Sequence, residues 1–417
     1  MKFPKDFLLG AATAAHQVEG NNVNSDFWAL ENLTSTIFKE KSLDAVDHYN
    51  RYEEDITLLK KAGLNAYRFS IEWARIEPEE GEWNEEALEH YRQKILFCRK
   101  NGIEPIVTMH HFTSPKWLIK KGGWNGAEVA NSFAKYCEKV VKVIGGEIKY
   151  VCTINEANMG LQFAKIMKDM QNKAIDVQVG VDADGMMQKM MSYGKEAMET
   201  YGINPSNVFL FSGGVLGNAS VINAHMKARD AMKAACPHLK IGITLSLHDF
   251  QSQSGGEHLA YLEWVEEFTQ YLPYIANDDF LGVQNYSRKL VSSEGRLSAP
   301  EGAKITQMGY ENYPAAVGNV VRKVAEGFKG DIIITENGIA ETDDSVRIEF
   351  IKTALEGVQA CINDGIPVKG YMYWSLLDNF EWMLGYTPTF GLIAVDRATQ
   401  IRHPKKSLDF LGSYREK

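Results

Sequence analysis

The sequence predicts an α/β fold, a single (β/α)8 TIM barrel spanning residues 1–417, on three observations. Eight near-continuous apolar, β-prone runs recur along the chain, amphipathic helical stretches separate most of them, and no shift in composition marks a domain boundary. A strand covered on both faces by helices carries apolar residues at consecutive rather than alternate positions. Eight strand–helix alternations fit a closed barrel best. The length of 417 residues exceeds the usual prior for one domain, but α/β barrels often do so. A doubly wound open sheet is the alternative, and no Gly-x-Gly-x-x-Gly follows the first run to support it.

The first run is Phe7–Thr13. A helical stretch, Arg51–Ala62, leads to the second, Asn65–Ser70; its end is signalled by Gly63. Glycine adopts the left-handed conformation that stops a helix. Glu85–Asn101, stopped at Gly102, leads to the third run, Glu104–His110. The fourth, Lys149–Ile154, and the fifth, Lys240–Ser246, lie either side of a long insertion. The sixth is Asp279–Asn285 and the seventh Asp331–Glu336. A helix over Ser345–Asp364, stopped at Gly365, precedes the eighth, Val368–Trp374.

The insertion at 157–200 carries eight of the fifteen methionines: Met159, Met167, Met170, Met186, Met187, Met190, Met191 and Met198. The first expectation is a loop and helix packed by flexible Met side chains. The second is an adaptable apolar wall beside the site, because thioether surfaces tolerate varied partners. Asp182-Ala183-Asp184-Gly185 has a calcium-loop flavour, but its glycine is at the fourth position and no twelfth-position glutamate follows, so no calcium site is expected.

Composition narrows the function. The net charge of −9 argues against a nucleic-acid or anionic-membrane surface, which needs a basic patch. No apolar run is long enough to span a membrane. Met1–Asp6 lacks an apolar signal core and Phe7–Gly10 is too short to be one, so a cytoplasmic location is expected. Cysteines 98, 137, 152, 236 and 361 form no Cys-x-x-Cys pair, and idle thiols are expected rather than a disulfide framework or zinc site. The sequons at Asn32 and Asn218 are read as chance matches.

The chemistry lies at the run ends. The fourth run leads into Asn155-Glu156, and the seventh ends in Glu336. Two strands that each deliver a carboxylate to one barrel mouth suit cleavage of a glycosidic bond, which requires an acid and a nucleophile or base. The other ends supply His16, Gln17 and Glu19; Arg68 and Glu72; His110 and His111; Asn285 and Tyr286; Trp374, Asp378, Asn379, Glu381 and Trp382. Sugar hydroxyls need paired donors and acceptors, and the apolar sugar face stacks on indole. Lysine clusters and phosphate-cradling glycines are lacking, so a neutral polyol fits better than a phosphate. Singly, each residue has a plainer role, as core aromatic, satisfied histidine or ion-pair partner. Adjacent histidines on a strand face opposite ways, which argues against a shared metal.

Several segments carry a family resemblance: Phe7–Gly20, Asp47–Tyr52, Tyr67–Trp73, Thr108–Phe112, Thr153–Glu156, Ile334–Gly338 and Tyr373–Trp382. With these the chain resembles glycoside hydrolase family 1, the retaining β-glycosidases, and coverage is weakest over 157–235. The resemblance implies that Glu336 is the nucleophile and Glu156 the acid/base. It implies that Asn155 meets the sugar 2-hydroxyl, and that Gln17, His111, Trp374, Glu381 and Trp382 bind the glycone. Asn285 and Tyr286 would sit beside the nucleophile, Tyr286 hydrogen-bonding it, and Arg68 would keep it ionised. A guanidinium lowers a neighbouring carboxyl's pKa, while apolar surroundings and a negative neighbour keep the acid protonated. The family mechanism implies a carboxyl separation of roughly 5–5.5 Å and retention of configuration.

The implied activity is exo-cleavage of terminal β-linked glucose, with galactose or fucose as further glycones, and no cofactor. The implied partner is a small glycoside. The alternatives are a 6-phospho-β-glycosidase, a transglycosidase and an inactive sugar-binding module. Glu381 argues against the first, since a 6-phosphate would meet a carboxylate. Ala157 stands where the family has proline, Ser287 where it often has tyrosine or threonine, and Thr389 where arginine is common. The short chain predicts trimmed loops and a more open cleft.

Overall fold

The computed structural model describes residues 2–171, 186–253 and 255–416, apart from the side chains of 169–171 and 186–190. The Asp182–Gly185 segment and the side chains of Met170, Met186, Met187 and Met190 thus lie outside the described residues.

The expected runs form one parallel sheet. Its first four strands are β1 (Leu8–Thr13), β2 (Ala66–Ser70), β3 (Glu104–His110) and β4 (Tyr150–Ile154). The fifth run forms two short strands, β5 (Lys240–Gly242) and β6 (Thr244–Ser246), interrupted at Ile243. Next come β7 (Asp249–Ser252), β8 (Phe280–Gln284), β9 (Arg288–Ser292), β10 (Gly295–Leu297), β11 (Asp331–Asn337) and β12 (Val368–Trp374). The sheet order is β5-β4-β3-β2-β1-β12-β11-β8-β6. β4 pairs with β5 and β6 pairs with β8, so the two ends of the sheet are halves of one interrupted strand. The chain therefore forms a (β/α)8 barrel of eight strands, one of them divided.

The strands are buried along almost their whole length, as their consecutive apolar residues require. Helices His48–Lys61, Glu85–Lys100 and Asp344–Asn363 fall within a few residues of their expected bounds, and each is followed by a positive-φ glycine, Gly63, Gly102 and Gly365. The sequence did not suggest the three-stranded sheet β10-β9-β7, which borders the barrel mouth. Among the described residues no helix is long and apolar enough to cross a membrane. All five cysteines are free, and four are buried.

Candidate active site

A cavity of about 330 Å³ lies at the C-terminal strand ends. It is lined by Glu156 just beyond β4, Ser246 at the end of β6, Tyr286 beyond β8, Glu336 in β11 and Trp374 at the end of β12.

Glu336 owes its place to a register shift. Ile334 pairs with Val283 of β8 but Glu336 pairs with Gln284, so β11 carries one extra residue at Thr335. Such a bulge re-aims the side chains that follow it. Close behind, a Cβ on Gly338 would fall 1.9 Å from the Trp374 carbonyl oxygen, so only glycine fits between β11 and β12 there. The Glu336 carboxyl is held on both oxygens: Arg68 Nη1 donates to Oε1 at 2.5 Å, and the Tyr286 hydroxyl donates to Oε2 at 2.5 Å. Arg68 is fully buried inside the barrel, and its Nη2 donates to Asn155 Oδ1 at 2.6 Å. Gln284 Nε2 reaches the same Asn155 oxygen at 2.8 Å.

Glu156 sits in a different environment. Its backbone has φ +42°, a left-handed conformation that costs a non-glycine residue of order 1–3 kcal/mol and is common at functional sites. Phe112 and Trp382, which also line the cavity, have φ of +68° and +46°. Helix Met159–Gln171 brings Met159, Phe163 and Ile166 to the same cavity. Burial pushes the Glu156 carboxyl well above the usual range, and the Glu336 charge pushes it further. Burial also raises Glu336, but Arg68 and Tyr286 oppose it there. The upward push is the stronger at Glu156.

The inner end is aromatic and polar. His111 stacks on Trp374 with centroids 5.7 Å apart and on Trp382 at 6.0 Å. His16 stacks on the same indole at 5.9 Å. Gln17 Nε2 donates to the Phe380 carbonyl at 2.8 Å, to Asn379 Oδ1 at 3.1 Å and to Glu381 Oε2 at 3.3 Å. Burial and the Glu336 charge push the Glu381 carboxyl up to about 8. Among the described residues, the buried polar atoms here without a protein partner include Gln17 Oε1, His111 Nδ1 and Asn155 Nδ2. Buried polar groups are nearly always paired, so an acceptor, an imidazole nitrogen and a donor together describe a polyhydroxylated ligand.

Of the predicted residues, Glu156, Glu336, His111, Tyr286, Trp374, Glu381 and Trp382 line the cavity. Arg68 and Asn155 are tied directly to Glu336 or its guanidinium, and Gln17 to Glu381. Asn285 lies beside Glu336 by its backbone, whose N–H donates to the Glu336 carbonyl at 3.2 Å, but its side chain turns away. Its amide donates to the Leu247 and Ser287 carbonyls at 2.8 and 2.9 Å, and it does not line the cavity. Neighbouring residues on a strand leave from opposite faces, so Gln284 takes the place beside Asn155. Other strand-end residues are structural: Glu19 binds Arg75 and Tyr91, Glu72 binds Thr113, Asp378 binds Lys405, and His110 packs on Trp124. Thr389 bonds to Gln307 and Glu341, and Ser287 to Glu311.

Sequence reasoning missed the outer wall: Gln162, His248, Glu267, Lys289, Arg296 and Tyr310. Gln162 and Glu267 lie on helices Met159–Gln171 and Glu257–Glu267, Lys289 and Arg296 on the short strands β9 and β10, and His248 and Tyr310 in loops, so no single strand-end signal marks them. Only Met159 among the described methionines of 157–200 reaches the cavity, while Met191 and Met198 are exposed. Among the described residues, no three His, Cys, Asp or Glu side chains are grouped as a metal-ligand set.

The model of glycosyl hydrolase family 1 matches residues 1–171 and 265–417. The unmatched stretch begins in the Met-rich insertion and ends before β8. Beta-glucosidase A of Thermotoga maritima is 32% identical, with 97% of this chain and 96% of that protein aligned. The crystal structure of the β-glycosidase BGL167 superposes with a TM-score of 0.90 at 44% identity, covering 99% of this chain and 96% of that one. The Thermotoga maritima β-glucosidase in complex with azafagomine superposes with a TM-score of 0.82 at 28% identity, covering 99% and 98%.

Proposed function

The chain belongs to glycosyl hydrolase family 1, and on that premise we propose that it removes terminal β-linked glucose from oligosaccharides or aryl and alkyl glycosides, with retention of configuration. The observation that carries this reading is the contrast between the carboxyls. Glu336 is bonded to a guanidinium and a phenol, while Glu156 is buried and beside a negative charge. That sorts a nucleophile from a proton donor. We read the whole chain as one catalytic domain.

In the first step the Glu336 carboxylate attacks the anomeric carbon as the bond to the leaving oxygen breaks. Glu156 gives its proton to that oxygen. Arg68 and Tyr286 hold the attacking carboxylate in one orientation, which lowers the entropy cost of attack. The ester so formed carries no charge at Glu336. The charge that had raised the Glu156 pKa is then gone, and Glu156 ionises readily. In the second step Glu156 takes a proton from water, the hydroxide attacks the anomeric carbon, and Glu336 leaves as carboxylate. Two displacements at one carbon restore its configuration.

The glycone would lie on Trp374 and His111, with Asn155 Nδ2 donating to the 2-hydroxyl. Gln17 and Glu381 would bind the hydroxyls at the far side. Sugar-like inhibitors bound to the Thermotoga maritima relative support a small glycoside as ligand. A 6-phosphate would meet Glu381 with no cation beside it among the residues that bond Glu381, which disfavours phosphorylated glycones.

The test is p-nitrophenol release from aryl β-glucoside, β-galactoside, β-fucoside and 6-phospho-β-glucoside, beside Glu336→Ala, with the first-formed anomer followed by NMR. Hydrolysis of a neutral glycoside to the β-anomer, lost in the variant, is expected. Activity on the phosphorylated substrate alone, or an α-anomer product, would overturn the proposal.

A further inference from the structure

Arg68 and Tyr286 hold Glu336, but nothing expected from the sequence holds Glu156. Two hydroxyls of β6 do. Thr244 and Ser246 are two apart on a strand and so share a face. The Glu156 backbone N–H donates to Thr244 Oγ1 at 2.9 Å, and the Ala157 N–H donates to the Thr244 carbonyl at 3.0 Å. Ser246 lines the same cavity as Glu156, and its side chain, as a hydrogen-bonding neighbour, holds the Glu156 pKa down against burial. β6 is fastened in return. Ser246 N–H donates to Asn158 Oδ1 at 2.9 Å, and its carbonyl accepts from Asn158 Nδ2 at 2.7 Å and Gln162 Nε2 at 2.8 Å. The left-handed backbone of Glu156 persists only where surrounding contacts over-determine it. Thr244 Oγ1 also lies 3.3 Å from Gln284 Nε2, the amide that joins Asn155 and hence Arg68. The two carboxyls are thus fixed relative to one another through β6.

We propose that Thr244 and Ser246 are positioning residues for the acid/base: Thr244 fixes the Glu156 backbone, and Ser246 aims its carboxyl at the leaving oxygen. The inference rests on Glu156 being the acid/base. The division of the fifth strand at Ile243 fits this role, since it frees Thr244–Ser246 to follow the Glu156 loop rather than β4.

The test is the pH dependence of kcat/KM on p-nitrophenyl β-glucoside for wild type, Ser246→Ala and Ser246→Thr. A hydroxyl that donates to Glu156 favours its charged form. Its removal is expected to move the alkaline limb up by about half to one pH unit, and threonine to restore it. The other groups that face Glu156 stay in place: Glu336, Glu381, Arg68, Tyr286 and Tyr310. An unmoved limb overturns the role of Ser246. If Ser246→Ala is too unstable to assay, Ser246→Cys carries the same expectation with a smaller shift. Thr244→Val is expected to lower kcat/KM about tenfold on alkyl glucosides but little on nitrophenyl glucosides, which need less protonation. Equal losses on both would make Thr244 merely structural and overturn its part. Glu156→Ala with and without azide tests the premise separately. Unimpaired activity there would remove Glu156 itself from the reaction, whereas azide rescue alongside an unmoved Ser246→Ala limb would sink only the present inference.

Discussion

Glu336 and Glu156 are the same side chain at the edge of one cavity, and their surroundings differ in kind. Glu336 is held by charge-assisted or directed hydrogen bonds from Arg68 and Tyr286, with Asn155 and Gln284 behind them. Glu156 shares the cavity wall with a thioether, an aromatic and an aliphatic side chain, Met159, Phe163 and Ile166, and the nearby Glu336 and Glu381 carboxyls penalise its charge. Role is set by neighbourhood. A carboxylate that must attack is kept charged and immobile, and a carboxyl that must give and take a proton is kept where its charge is costly.

The hardest test of this contrast is at Glu336. Glu336→Ala should lose on the order of 10⁴-fold or more in kcat, the scale of removing a covalent nucleophile. Added azide should return a glycosyl azide of inverted configuration, and an azide of retained configuration would exchange the two roles. Glu156→Gln should lose about 10²–10⁴-fold on poor leaving groups and much less on nitrophenyl glucosides. A loss independent of the leaving group would remove Glu156 as proton donor.

Tyr286→Phe should lower kcat/KM by about tenfold, the value of one directed hydrogen bond to a carboxylate. It should also move the acidic limb upward, because Tyr286 favours ionised Glu336. A downward shift would contradict the pairing. Glu381→Gln probes stability instead. The Glu381 pKa in the fold is about 8, above its unfolded value of about 4.3. The folded state therefore binds more protons, and this carboxyl erodes stability as pH rises from about 4 to 8. The amide escapes that loss. The variant's Tm should exceed wild type by a few degrees at pH 8 and by less at pH 5, read by calorimetry. A constant gap would deny the high pKa. Met159→Ala should have the smallest effect, about a two- to fivefold rise in KM for aryl aglycones, since a half-buried thioether contributes modestly. An equal rise for methyl β-glucoside would place Met159 elsewhere than beside the aglycone.

How much of this was legible in the chain depends on the range of the cause. Apolar runs and glycine stops are local, so β3 and β12 have the expected bounds and the three expected helices shift by only a few residues. Glu156 and Glu336 were visible because each ends such a run. The sheet of β7, β9 and β10 was not, being made of strands of three to five residues that tertiary contacts alone stabilise.

The sequence by itself determined a closed parallel barrel and two carboxyls at its mouth, because strand periodicity and turn chemistry are written in adjacent residues. Tertiary structure decided which face each strand-end side chain takes. One extra residue at Thr335 sets Glu336 against Gln284, and the alternation of a strand then sends Gln284 to Asn155 and Asn285 to the Leu247 carbonyl. A single step of register reverses every side chain beyond it, and that step is fixed by the neighbouring strand.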